Sequence, residues 1–368
     1  MAIPVDTERR LVAIFAADVE GYSRLMGADE VGTLRDLTQR RGVLDGLIAA
    51  HRGRIANVAG DSVLAEFGSA VDAVQCAVEA QTALAAANAT TTPERHINFR
   101  IGIHIGDVMV RGGDLFGDGV NIAARLEVLA EPGGVCISDD TYRQIRGKVN
   151  CALEDIGAQF LKNVADPLRV WRIRVNGAAR PAAPKASRLL RRLAAILVAD
   201  VAGYSSLVNA NETDALKQLG RLRHDIIEPY IARHGGRLFR VNGDAFLAEF
   251  SSAVQAVACA MAIQTEAEQV AAALDDIKRL RLRMGIHVGD VIVEGEDLTG
   301  DSVYIAARIE SITAPGGISI SRAVHDQVCD RIDARFDDKG EIALKNILRP
   351  MQVFGVASET QTKQTDPD

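Results

Sequence analysis

The sequence predicts an α/β (α+β) protein made of one domain written twice. Three observations predict it: an internal repeat that runs through almost the whole chain, an order of strand-like and helix-like segments that is the same in both copies, and a length of 368 residues, which at roughly 100–200 residues per domain suits two domains. Leu11-Val-Ala-Ile-Phe-Ala-Ala-Asp18-Val-Glu-Gly-Tyr-Ser23 returns as Leu193-Ala-Ala-Ile-Leu-Val-Ala-Asp200-Val-Ala-Gly-Tyr-Ser205. Gly60-Asp61 returns as Gly243-Asp244, Gly102-Ile-His-Ile-Gly-Asp107 as Gly285-Ile-His-Val-Gly-Asp290, and Pro132-Gly-Gly134 as Pro315-Gly-Gly317. The offset is 182 residues at Asp18/Asp200 and 183 from His51/His234 onward. One residue is therefore gained between Tyr204 and His234.

Each element follows from its local pattern. Leu11 to Ala17 is a continuous apolar run, the mark of a buried strand. Glu30 to Ala50 has helical spacing. Arg54–Val58 and Ser62–Phe67 flank Gly60-Asp61 and read as a hairpin. Ala70 to Ala87 is an Ala-rich amphipathic helix, and Asn98 to Val110 a long strand. Gly119 to Leu129 is a helix, followed by a Pro-Gly-Gly turn and the strand Val135–Ser138. The order β-α-β-β-α-β with additions predicts a ferredoxin-like core. Domain 1 is expected over residues 1–175 and domain 2 over 191–357. Residues 176–190 are Ala/Pro/Arg/Lys-rich and read as a linker, and 358–368 as a disordered polar tail.

Composition narrows the function classes. Hydrophobic residues make up 48% and charged residues 25%, an ordinary globular balance that excludes collagen, coiled coil and wholesale disorder. The longest apolar runs are about seven residues, whereas a membrane span needs ~20. The first ten residues lack the apolar segment of a secretory signal. A net charge of −7 argues against a nucleic-acid phosphate backbone as partner. Five widely spaced cysteines without a CxxC argue against a disulfide framework or zinc site. A cytoplasmic protein with reduced thiols is the expectation.

Four carboxylates stand out. Asp18 closes an apolar strand and Asp61 sits at a turn tip, and both recur as Asp200 and Asp244. Carboxylates at strand ends and turn tips can converge on one sheet edge, which would supply the hard oxygen ligands magnesium needs. A turn former and a loop cap would give the same pattern. Asn121 and Arg125 lie four apart on a predicted helix and share its face, where they could reach a ribose and a phosphate or form a solvated stripe. In copy two the pair is Tyr304 and Arg308. His104 and His287 recur in strand context and read as structural. Cys76 and Cys259 read as core.

These residues together resemble class III nucleotidyl cyclases, the family of adenylate and guanylate cyclases, with two catalytic domains in tandem. The ordered set carries the resemblance: strand-Asp-Val-x-Gly-Tyr-Ser, Gly-Asp-x-x-x-x-x-Phe, Asp-x-x-Gly-Asp-x-Val-x-Ile-Ala-Ala-Arg and Leu-Lys-Asn, twice. The resemblance implies palm-type domains forming an intramolecular pseudo-dimer, with each site built across two domains. One domain would give two metal aspartates for two Mg2+ (or Mn2+), namely Asp18 and Asp61 or Asp200 and Asp244. The other would give a base-reading pair (Asn57 and Asp114, or Arg240 and Asp297) and an Asn–Arg pair (Asn121 and Arg125, or Tyr304 and Arg308). Lys162 falls near the family's triphosphate-binding lysine.

The implied reaction is conversion of ATP to 3′,5′-cyclic AMP and pyrophosphate. It uses no protein nucleophile, which suits a chain without a Cys/His or Ser/His constellation. Asn57 stands where adenylate cyclases usually have Lys. Its amide can donate to adenine N1 while Asp114 accepts from the N6 amine; guanine presents an acceptor there instead, so ATP is expected over GTP. The site joining Asp200 and Asp244 with Asn57, Asp114, Asn121 and Arg125 has every part. The site joining Asp18 and Asp61 with Arg240, Asp297, Tyr304 and Arg308 is expected to be degenerate. A homodimer through copy one is a competing assembly, and a catalytically silent tandem that binds nucleotide and regulates an unknown partner is the alternative function.

Overall fold

The computed structural model describes residues 8–162, 164, 166–175, 190–272, 280–345, 347 and 349–357. The expected linker, apart from Leu190, and the tail lie outside the described residues. The chain divides into two units between Leu193 and Ala194, close to the expected start of domain 2.

Unit one runs β1 (Glu8–Val19), α1 (Tyr22–Ala28), α2 (Glu30–Ala50), β2 (Gly53–Ala59), β3 (Ser62–Phe67), α3 (Ala70–Asn88), β4 (Phe99–Arg111), β5 (Asp114–Phe116), α4 (Asp118–Leu129), β6 (Val135–Ser138), α5 (Asp139–Ile145), β7 (Ala152–Gln159) and β8 (Leu168–Arg174). The strands form one sheet in the order β2-β3-β1-β4-β6-β8-β7, with β5 paired to β4. In the first four, β2-β3-β1-β4, each strand is antiparallel to its neighbour, the arrangement the ferredoxin-like reading requires. The expected segments from β1 to β6 are present with ends displaced by a few residues. The strands β5, β7 and β8 and the helices α1 and α5 are additions to the sequence reading.

Side chains on β1 alternate between the two faces of the sheet. Val12, Ile14 and Ala16 pack with Val108, Leu115 and Ala123, so α4 covers that face. Phe15 points the other way, with its ring centroid 5.7 Å from that of Phe67. Both phenylalanines are fully buried, and each such burial is worth about 1.5–3 kcal/mol. The helices on this face are capped by their own sequence. Asp29 accepts from the Gly32 backbone N–H at 2.9 Å to start α2, and Ser69 caps α3.

Unit two repeats this plan: β9 (Arg191–Val201), α6 (Tyr204–Ala210), α7 (Glu212–Arg221), α8 (Glu228–Arg233), β10 (Arg237–Asn242), β11 (Ala245–Phe250), α9 (Ala253–Ala272), β12 (Leu282–Glu294), β13 (Asp297–Thr299), α10 (Asp301–Ser311), β14 (Ile318–Ser321), α11 (Arg322–Val328), β15 (Arg335–Ile342) and β16 (Met351–Ala357). The sheet order is β10-β11-β9-β12-β14-β16-β15. The inserted residue is found where α7 meets α8. Leu222–Ile227 is a π-helical turn between them, a widened turn that takes up one extra residue without breaking the rod. Pro229 follows after Glu228. It lacks an N–H and crowds the carbonyl four residues back, and a widened turn eases both problems.

Among the described residues, no helix is long and apolar enough to cross a membrane. Cys76, Cys136 and Cys259 are buried, and none of them is in a disulfide.

Candidate functional site

The two aspartates of each unit meet at one sheet edge for local reasons. Gly60, at φ 62°, and Gly243, at φ 63°, take the left-handed position of two-residue hairpin turns, which an L side chain adopts only with strain. The next residue, Asp61 or Asp244, is thereby thrown to the turn tip beside the end of β1 or β9. Asp61 Oδ2 accepts from the Val19 backbone N–H at 3.2 Å, next to Asp18. In unit two, burial and then the nearby charge and hydrogen bond of Asp200 raise the Asp244 pKa above the ordinary aspartate value.

Each aspartate pair has an arginine and a glutamate behind it that the sequence reading did not single out. Arg100 lies directly across the ladder from Asp18. Its Nε donates to Asp18 Oδ1 at 2.9 Å and its Nη2 to Oδ2 at 2.5 Å, a bidentate pair. Arg283 donates to Asp200 Oδ2 at 2.5 Å through Nη2. Its Nε lies 3.1 Å from Glu310 Oε1, misaligned for a hydrogen bond.

Glu127 is brought to Asp18 by a close helix–strand approach. A Cβ on Gly102 would lie 2.2 Å from the Ala123 carbonyl oxygen and 2.3 Å from the Glu127 nitrogen, so only glycine lets α4 rest on β4 there. Gly285 and Glu310 repeat the arrangement at 2.2 Å. Burial, then a hydrogen bond and charge from Asp18, push the Glu127 pKa up to about 9. Burial pushes Glu310 up to about 7, with the Arg283 charge opposing the rise. The signal for all four residues was available: Arg100/Arg283 and Glu127/Glu310 recur at the same offset of 183, inside otherwise apolar segments.

The second expected pair also meets. β2 carries a bulge between Ile55 and Asn57, and β10 a matching one between Leu238 and Arg240. A bulge re-aims the side chain beside it. Asn57 thereby reaches Asp114 at the start of β5, its Nδ2 donating to Oδ1 at 3.2 Å. Arg240 forks onto Asp297, Nε to Oδ1 at 3.1 Å and Nη2 to Oδ2. This pairing holds Asp297 below the usual aspartate range.

Asn121 is exposed on α4 and Arg125 half-buried one turn on. The Arg125 Nε is buried without a hydrogen-bond partner, a donor left for an incoming acceptor. Tyr304 replaces Asn121 on α10 and stands 66% exposed. Arg308 is half-buried behind it. Lys162 is exposed in the connection between β7 and β8, two strands that α4 packs against through Ile122, Leu126 and Leu129. His104 and His287 are buried, with Nδ1 2.9 Å from the hydroxyls of Ser138 and Ser321 respectively, as core histidines should be.

The two carboxylates of each unit suit a hard divalent cation. They are oxygen donors at the ends of neighbouring strands, and the Asp200 charge adds to burial in raising the Asp244 pKa, a repulsion that a cation would relieve. Among the described residues no group of three or more His, Cys, Asp or Glu is arranged to hold a metal. Two protein carboxylates, with phosphate and water for the remainder, is a set magnesium accepts.

The sequence profile of the adenylate and guanylate cyclase catalytic domain matches residues 6–173 and again 192–358. A putative adenylate cyclase 3 of Rhizobium meliloti (strain 1021) is 49% identical over 164 residues, which is 44% of this chain and 28% of that protein. An adenylate cyclase of Streptomyces coelicolor is 35% identical over 133 residues, 35% of this chain and 32% of that protein. The chain thus spans less than a third of either relative. The crystal structure of an adenylate/guanylate cyclase/hydrolase from Silicibacter pomeroyi has 41% sequence identity, covers 46% of this chain and 99% of its own, and has a TM-score of 0.44.

Proposed function

The chain belongs to the adenylate and guanylate cyclase catalytic-domain family, and from that premise we propose that it converts ATP to 3′,5′-cyclic AMP and pyrophosphate at a site shared between its two units. In this reading Asp200 and Asp244 hold two Mg2+ or Mn2+, while Asn57, Asp114, Asn121 and Arg125 hold and orient the nucleotide. The family match supports the reaction class. The observation that carries the choice of ATP is the Asn57–Asp114 contact.

That contact places a donor and an acceptor side by side. The Asn57 amide donates to adenine N1 and Asp114 accepts from the N6 amine. Guanine would set its O6 acceptor against Asp114 and leave polar groups unpaired, at a cost of about 1–3 kcal/mol. Asn121 holds the ribose so that the 3′-hydroxyl faces the α-phosphorus. The new bond is O3′–Pα, the broken bond joins the α- and β-phosphates, and the hydroxyl proton passes to water. Arg125, whose Nε is buried without a hydrogen-bond partner, donates to the charge that develops on the α-phosphate. Bound divalent cations would supply a more acidic 3′-hydroxyl and neutralise phosphate charge. Lys162 is proposed to meet the β- and γ-phosphates. The protein is proposed to act in the cytoplasm, in intracellular signalling.

The test is product formation by the purified full chain with ATP or GTP and with Mg2+ or Mn2+. Cyclic AMP is expected, with GTP turned over at least roughly tenfold more slowly, the equivalent of about 1.4 kcal/mol. Equal turnover of GTP would contradict the purine assignment. Tyr304 at the Asn121 position favours a second reading, a silent nucleotide-binding tandem that regulates a partner. Nucleotide binding without product would support it.

A further inference from the structure

We propose that Arg240 is the built-in occupant of the purine-reading position of unit two, so that this position takes no nucleotide and each chain binds one purine nucleoside triphosphate. The inference rests on the ATP reading of Asn57 and Asp114 and adds how the equivalent position has been closed.

The two positions share a backbone plan. Each has a bulge one residue before the first side chain and an aspartate at the start of a three-residue strand. They differ in how the aspartate is occupied. Asn57 gives Asp114 one neutral amide N–H, at 3.2 Å, to one oxygen. The second amide hydrogen and the second carboxylate oxygen are left to a ligand. Arg240 takes both oxygens of Asp297. The Leu298 backbone N–H adds a further hydrogen bond to Oδ1 at 2.9 Å. The guanidinium is itself held, since Nη2 also donates to the Leu298 carbonyl at 3.3 Å and its carbon lies 5.9 Å from the Phe239 ring centroid.

A purine amine must therefore displace a bidentate, charge-assisted pair before it can reach Asp297. It would then share the position with a cation, and an amine and a guanidinium are both donors competing for one acceptor. The asparagine pair imposes neither requirement. Tyr304 on α10 is a separate departure and is exposed, so its removal leaves the Arg240–Asp297 fork in place.

The experiment is isothermal titration of the full chain with α,β-methylene-ATP in the presence of Mn2+, reading the number bound per chain. One is expected for the unmodified chain and for Tyr304→Asn. Two are expected for the double variant Arg240→Asn/Tyr304→Asn, which restores both side chains of unit one. Arg240→Asn alone should gain a second, weaker binding event, and this variant decides the matter if the double variant is misfolded by circular dichroism. Two bound to the unmodified chain or to Tyr304→Asn would overturn the inference, as would no gain on removing Arg240. Those outcomes leave the ATP reading standing. No binding by the unmodified chain would instead sink the ATP reading and this inference with it.

Discussion

The two units differ least where the fold is made and most where a nucleotide would be read. Both sheets have the same strand order, both strand–helix contacts need a glycine at the same point, and both histidines find the same serine. Yet the positions proposed to read a purine are occupied in opposite ways, by a single amide contact in unit one and a guanidinium fork in unit two. The aspartates differ in the other direction. Arg100 takes both oxygens of Asp18, while Arg283 gives Asp200 one hydrogen bond and turns its other edge toward Glu310. A duplicated domain keeps its apolar faces and close approaches because every copy needs them to fold. Half-exposed charge pairs cost little to change, so duplication leaves them free to specialise. On this account unit one keeps the open purine half and unit two the open aspartate half.

The largest expected effect breaks the symmetry of the helix arginines. Arg125→Ala should lower kcat for cyclic AMP formation by about 10²–10³-fold, the usual loss for one preorganised donor to a developing oxyanion. Arg308→Ala should stay within a few-fold of the parent. Equal losses from both would mean that the units are used alike.

Next come the shared glycines, which should behave identically. Gly102→Ala and Gly285→Ala each place a methyl about 2.2 Å from helix backbone. Each should cost about 1–3 kcal/mol, the range for overpacking a tight contact. Trp171, the single tryptophan of the chain, lies in β8 with its indole N–H on Asp139. Its fluorescence reports the unfolding of unit one, so Gly102→Ala should shift that signal in urea. Gly285→Ala should be seen by circular dichroism.

The last effect is alkaline. Burial pushes the Cys136 thiol up to about 11 and Cys259 up to about 12, against about 8.5 in an unfolded chain. Between those values the unfolded state has lost a proton that the folded state keeps. Each thiol's contribution is therefore complete below about pH 8.5 and declines as pH rises toward 11 or 12. Urea midpoints of Cys136→Ala and Cys259→Ala, compared with the parent, should show a gap that narrows over that window. A gap that is constant with pH would contradict the burial argument.

Much of this could be read in the sequence, for identifiable reasons. The helix Glu30–Ala50 has a capping Asp29, helical spacing and a chain reversal at its end, and its bounds are those observed. The strands β7 and β8 had no such marks. β7 is an edge strand whose side chains alternate poorly between buried and exposed, and Glu154, Asp155 and Gly157 disguise it. The aspartates were legible because they punctuate apolar runs. Arg100 and Glu127 were marked only by recurring as Arg283 and Glu310, because a buried charge and a surface charge are written with the same letter. Only contact with Asp18 separates them. The pairing of Arg240 with Asp297 was implied by the family resemblance, but the bulges that bring each pair together were not legible, since a bulge re-aims one side chain without any change in residue type.

In the proposed function the aspartates of unit two, and not those of unit one, serve the reaction. The most direct measurement is cyclic AMP formation by the full chain carrying Asp244→Ala or Asp61→Ala, with ATP and Mg2+ or Mn2+, after both variants are shown folded. Asp244→Ala should lose most of its activity, since a ligand of the cations is gone, while Asp61→Ala should retain most of it. Loss in Asp61→Ala with activity kept in Asp244→Ala would contradict the account and point to copies of unit one pairing between chains.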